Sequence, residues 1–312
     1  MVLSARIVVS LLLLLLTAAS ARPQEPVASD LLDRPVNVDA PLPDTEWLRE
    51  QVHARLKTDE ELLRQYTYRE RRRDIKVSKL GKVSLGPLRE FEVYPSPISG
   101  ETYKRLVAVD GKPLDPAVVA QQDQEHRDDL IERREKLEQE TPDERAERLE
   151  KRAKERQEEQ ERLEDGFRVF DVQLIGRDIL DGRQMIVAEL TPKPDADPKT
   201  RIGKTMKEMH GRAWVNEQDF EIAQVAIEVI DDVKIGWGIV GRLHAGSELT
   251  FQRKKVNDEI WLPSLMHVKM SGRTLLFRKF GFHTTTEYSD YRKFSVETDV
   301  RVATPRGHDD HP

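Results

Sequence analysis

The chain contains no cysteine among its 312 residues. That excludes a disulfide, a thiol catalyst and a lipid-modified N-terminal cysteine. Aromatic residues are scarce at 6%, so the places where they gather carry information. A surplus of positive charge is also missing: the formal net charge is -6, which argues against nucleic acid as a partner. Long apolar runs are limited to one. Arg6 gives a basic start, Ile7 to Leu16 form the apolar stretch, and Ala19-Ser20-Ala21 supplies small residues at a cleavage position. This is the pattern of a secretory signal peptide over 1–21, shorter than the roughly 20 residues of a comfortable membrane span. The mature protein then starts at Arg22, works outside the cytoplasm and has no transmembrane segment. Without disulfides its stability must come from a core.

Catalytic and cofactor motifs are absent as well. No Gly-x-Ser-x-Gly elbow and no phosphate-binding Gly-x-x-x-x-Gly-Lys loop occurs, and none of the eight histidines has a metal-ligand spacing. His308-Asp309-Asp310-His311 reads as a solvated tail. Gly236-Trp237-Gly238-Ile239-Val240-Gly241 matches a dinucleotide pattern literally, but no helix follows it to hold a pyrophosphate. It reads as an apolar loop, with Trp237, Ile239 and Val240 as a candidate lid. The expectation is no catalytic residue, no metal and no cofactor.

What is present divides the chain into segments. Residues 22–44, rich in Pro, Asp and Val, read as a disordered tether. Asp44 can cap a helix in which Leu48, Val52, Leu56 and Leu63 share one face, ending near Tyr66. Strand chemistry follows to residue 115: Tyr66-Thr67-Tyr68, Ile75-Lys76-Val77, Phe91 to Tyr94 and Tyr103 to Val109, closed by the Asp110-Gly111 turn. The arginines at 69 and 71–73 are diluted by Glu70 and Asp74 and read as a solvated edge. Glu70, Asp74, Glu90 and Glu92 read as solvent-face residues.

Residues 116–165 are nearly all Glu, Arg, Lys, Gln, Asp and Ala. Thr141-Pro142 divides them into two helices. The apolar stripe there is thin (Leu130, Ile131, Leu137, Leu149, Leu163), so the segment reads as a solvated helical hairpin held by Glu/Arg pairs. From 166 to 303 short turns separate strands, the signature of an antiparallel meander, and 304–312 is a disordered tail. Val225, Ile227 and Val229, then Leu249 and Phe251, then Met266, Val268 and Met270 alternate so as to line one sheet face. A sheet covered by one amphipathic helix leaves part of that face unfilled, and an apolar hollow of this kind suits an acyl chain.

Three motifs carry a resemblance. Gly211-Arg212-Ala213-Trp214-Val215-Asn216 is answered, after a turn at Asp219, by Ile222-Ala223-Gln224-Val225. Asn257 to Ser264 forms a hairpin with Trp261-Leu262-Pro263, and Tyr288-Ser289-Asp290-Tyr291-Arg292-Lys293-Phe294 is an aromatic close. Together they resemble the outer-membrane lipoprotein-sorting (LolA/LolB-like) superfamily over 166–302, with 45–110 compatible. The resemblance implies an α+β fold, a curved antiparallel sheet forming an unclosed half-barrel with an amphipathic helix on its concave side. It implies a non-catalytic periplasmic carrier that binds a lipid or lipoprotein acyl chain, or a member that senses lipoproteins and signals to an envelope protein partner. The length of this chain and its charged insertion at 116–165 depart from the simple carriers. The alternatives are therefore an envelope sensor or scaffold acting through that arm, and a hydrolase without a recognisable motif.

Overall fold

The computed structural model describes residues 27–56, 63, 65–77, 83–96, 102–235, 241–274 and 278–293. The leader, the C-terminal tail and the loop bearing Trp237, Ile239 and Val240 lie outside these residues. Helices α1 (Ala28–Leu32) and α2 (Thr45–His53) come first. They precede β1 (Tyr66–Val77), β2 (Val83–Pro95), β3 (Thr102–Val109) and β4 (Lys112–Pro113). Two long helices follow, α3 (Pro116–Glu138) and α4 (Pro142–Val169). Then come β5 (Phe170–Leu180), β6 (Arg183–Pro192), the short α5 (Arg201–Met206), β7 (Met209–Asn216) and β8 (Ile222–Val229). The chain continues with β9 (Val233–Ile235), β10 (Gly241–Leu243), β11 (Glu248–Val256), β12 (Ile260–Thr274) and β13 (Arg278–Lys293).

All of these strands belong to one 13-stranded sheet with the order β4-β3-β2-β1-β13-β12-β11-β8-β7-β6-β5, and β9 and β10 hang from β12. Neighbours are antiparallel, as the short turns require. The sheet is curved and does not close into a barrel, giving the expected α+β half-barrel. The N-terminal strands join the C-terminal ones through β1 and β13, which pair Tyr66 with Lys293 and Ile75 with His283.

Because side chains alternate along a strand, the sheet has two distinct apolar faces. Ile186 on β6 and Val215 on β7 pack beneath Leu48 and Val52 of α2 on the concave face. Their neighbours Met185, Val187 and Trp214 point the other way, against Ala28, Leu31 and Leu32 of α1. Within the described residues 27–44 the chain thus carries a helix docked on the sheet, which departs from the tether reading there. Five residues are too few to show a period, so the apolar turn of α1 is hidden among prolines and acids. After α1 the chain pairs Asn37 with Arg177 on the outer side of β5, with N–O distances of 2.7 and 2.6 Å. Gly176 makes this approach possible: a Cβ there would meet Val36 and the Asn37 carbonyl at 2.7 Å.

Three further expectations change. β1 lies between β2 and β13, so the arginine run is not on an edge. Cross-strand acids accept it instead, as in Arg71 to Glu287 at 3.0 Å and Arg69 to Glu92 at 3.6 Å. Glu70 is buried and takes a 2.6 Å contact from Lys104, so it is no solvent-face residue. Finally, α2 ends at His53, whereas α4 runs on through Gly166 and Phe167, where a strand was expected.

Both charged helices begin as their caps dictate. Asp115 accepts from Ala117 N at 2.8 Å, and Thr141 and Glu144 form a reciprocal capping box. No residue of α3 is fully buried. Its first turns nevertheless dock on β3. The Gln122 side chain makes two 3.1 Å hydrogen bonds with the backbone N–H and C=O of Leu106. Asp123 accepts from the Tyr103 hydroxyl at 2.8 Å and from Arg105 at 3.0 Å, and His126 stacks on Tyr103 with ring centroids 3.9 Å apart.

Candidate functional site

The site is the space on the concave face between the sheet, α2 and the C-terminal part of α4. The Asp44 carboxylate caps α2 by accepting from Trp47 N at 2.8 Å, which starts the helix where Leu48, Val52 and Leu56 can face the sheet. Two polar contacts tie α2 to α4. Arg49 Nη2 donates to the Phe167 carbonyl at 2.8 Å, and His53 Nε2 lies 3.0 Å from Glu164. The His53 contact holds the Glu164 carboxyl below its ordinary range, more than burial raises it.

Beneath these helices lies a cavity of about 460 Å³. Its floor is Ala188 and Leu190 of β6, Ala213 and Val215 of β7, and Ile222, Val225 and Ile227 of β8. Leu249, Phe251 and Met266 extend it across β11 and β12. Its roof is Leu48, Val52 and Leu56 from the α2 side and Leu163, Gly166 and Phe167 of α4. Met206 of α5 reaches one side. Thr45, Arg49 and Arg162 are the polar residues of this lining. Such a lining offers shape and apolar contact. No cluster of His, Asp and Glu able to hold a metal occurs among the described residues.

Five residues singled out from the sequence line the cavity: Val225, Ile227, Leu249, Phe251 and Met266. Val229, Val268 and Met270 do not. Val229 and Val268 are buried farther along the same strands, and Met270 is 37% exposed opposite Phe282. Sequence reasoning missed the contributions of α4, α5, β5, β6 and β7. Leu163 was visible, but as one leucine in a charged helix. Gly166 and Phe167 read as the start of the run of strands, with Phe167 opening the first of them.

The C-terminal part of α4 is held in place by Asp165, which has no exposed surface. Its carboxylate accepts from the backbone N–H groups of Lys199 at 3.0 Å and Thr200 at 2.7 Å, from the Thr200 hydroxyl at 2.7 Å, and from Arg168. Burial raises the Asp165 pKa, but these donors outweigh it and hold the carboxyl below the ordinary value. Gly203 packs against it, and a Cβ at that position would overlap the carboxylate. This clamp fixes α5 and the loop before it beside α4.

The family-like motifs prove to be framework. The Asp219 carboxylate at the β7–β8 turn accepts from Trp261 Nε1 at 2.9 Å and Lys255 at 2.7 Å, linking the first motif to the second. Trp214 donates to Asp178 at 3.0 Å on the face away from the cavity. Tyr291 donates to the Pro263 carbonyl at 2.7 Å, linking the third motif to the second.

No family profile matches the chain, and no curated protein does. Among solved structures, a DUF1329 family protein from Desulfovibrio piger is similar at 12% identity and a TM-score of 0.27, over 83% of this chain and 94% of that one. A putative outer membrane lipoprotein-sorting protein domain from Vibrio parahaemolyticus is similar at 11% identity and a TM-score of 0.28, over 79% and 91%. A LolA superfamily protein from Nitrosomonas europaea is similar at 10% identity and a TM-score of 0.25, over 81% and 94%.

Proposed function

We propose that the protein is a carrier of the cell envelope that holds a lipid or acyl chain in the concave-face cavity and performs no chemistry on it. The observation that carries this reading is the lining itself: about 460 Å³ bounded almost wholly by aliphatic and aromatic side chains between a rigid sheet and two helices. That volume falls in the range of roughly 300–1,000 Å³ typical of small-molecule sites. Water gains little in a chamber with so few polar partners, so an apolar chain is the better occupant. The leader expected at 1–21 fits a role outside the cytoplasm. No helix among the described residues is long and apolar enough to cross a membrane.

The test is lipid extraction and mass spectrometry of the full chain purified without detergent, together with titration by an uncharged fluorescent apolar probe. Bound lipid and saturable probe binding are expected. Ala188→Phe and Ala213→Phe place rings inside the cavity and are expected to cut probe affinity about tenfold while leaving the thermal midpoint nearly unchanged. A wild-type protein that binds neither lipid nor probe would overturn the proposal.

A further inference from the structure

Arg162 of α4 lines the apolar cavity and also lines a second, polar groove of about 750 Å³. The same two elements build both compartments. α4 gives Leu163, Gly166 and Phe167 to the cavity and Lys154, Glu158 and Glu161 to the groove; α5 gives Met206 to the one and Arg201 to the other. Lys199, on the loop fixed by Asp165, completes the polar wall.

The charges of this groove do not cancel. It presents Lys154, Arg162, Lys199 and Arg201 against Glu158 and Glu161. Glu161 is already engaged, 3.5 Å from Arg168 and 3.9 Å from Lys199. Lys154, Arg162 and Arg201 form no ion pair or side-chain hydrogen bond with any described residue. Arg162 is half-buried at the junction, where its aliphatic stem can lie along the apolar wall while the guanidinium turns to the polar side. A planar guanidinium in that position suits a carboxylate or phosphate ester.

Resting on the carrier reading above, we infer that the ligand is an anionic amphiphile. Its chain occupies the apolar cavity, and its negative headgroup sits in the adjoining groove against Arg162, Arg201 and Lys154. The occupant is thereby restricted: a chain with an uncharged or zwitterionic head fills the cavity but leaves the three cations unmatched.

The experiment displaces the uncharged probe from the full-length mature protein with two lysolipids of equal chain length, lysophosphatidylglycerol and lysophosphatidylcholine. The anionic lipid is expected to compete about tenfold better at low salt, as charge-assisted contacts allow, with the advantage shrinking as salt is added. In Lys154→Gln/Arg201→Gln, whose two residues line the groove and not the cavity, the advantage should fall toward unity with probe affinity unchanged, whereas Lys154→Arg/Arg201→Lys should keep most of it. Inorganic phosphate alone at millimolar concentration should leave it in place. Equal competition by both lipids, an advantage that survives in the double variant, or its removal by free phosphate would each overturn the inference while leaving the apolar cavity standing. Failure of the probe to bind at all would overturn both readings.

Discussion

Asp165 has no surface in contact with water, and still its carboxyl is held below the ordinary aspartate value of 3.8. Its contribution to stability is therefore complete above that value and is lost as the pH falls through the lower folded value. Asp165→Ala leaves two backbone N–H groups, a hydroxyl and Arg168 without their acceptor. A loss of about 3 kcal/mol is expected in urea unfolding at neutral pH, and the variant should show a shallower fall in stability under acid than the wild type. Nothing in the sequence distinguishes this aspartate from the acids around it in a charged helix. Its role depends on Lys199 and Thr200, more than thirty residues away, and on the side-chain-free Gly203. The sheet-face residues were more legible, because alternation is a local property. Val225, Ile227, Leu249, Phe251 and Met266 fell on the cavity from period alone.

At the scale of elements, starts and stops were readable and docking was not. Asp44, Thr141 and Pro142 mark helix starts because capping depends on residues three apart. The attachment of α3 to β3 depends on Gln122 and Asp123, polar residues in a run of polar residues. Asp123 stays ionised because the Tyr103 hydroxyl and Arg105 more than offset the cost of its burial. Near it, burial and the Glu92 carboxylate push Tyr94 up to about 12, so that hydroxyl remains a donor. Gln122→Ala/Asp123→Ala should free α3 from the sheet. Faster amide exchange at Leu106 and a stability loss of about 1–3 kcal/mol are expected, with helix content by circular dichroism nearly unchanged. Unchanged exchange at Leu106 would mean that α3 is held by other contacts.

At the scale of the whole molecule, the decisive event is the pairing of β1 with β13, residues separated in the chain by the entire remaining sheet. Local turns announced each hairpin, whereas nothing local announces a partner at such a distance. For this reason the sheet appeared in the sequence as two runs of strands. The same separation makes folding slow, because loop closure must precede the contacts that reward it. Stopped-flow refolding is expected in roughly the millisecond-to-second range or slower. A Thr284→Pro substitution, which removes a backbone donor from β13 between its two neighbours, should prevent the halves from joining.

An unclosed sheet exposes two borders whose idle backbone groups invite strands from other molecules. Here each border carries a stopper. The Gln122 amide imitates a neighbouring strand at Leu106, beside the short β4, and Asn37 does the same at Arg177 on β5. The protein can therefore keep its barrel open, with an apolar hollow inside, without offering its rims as templates for polymerisation.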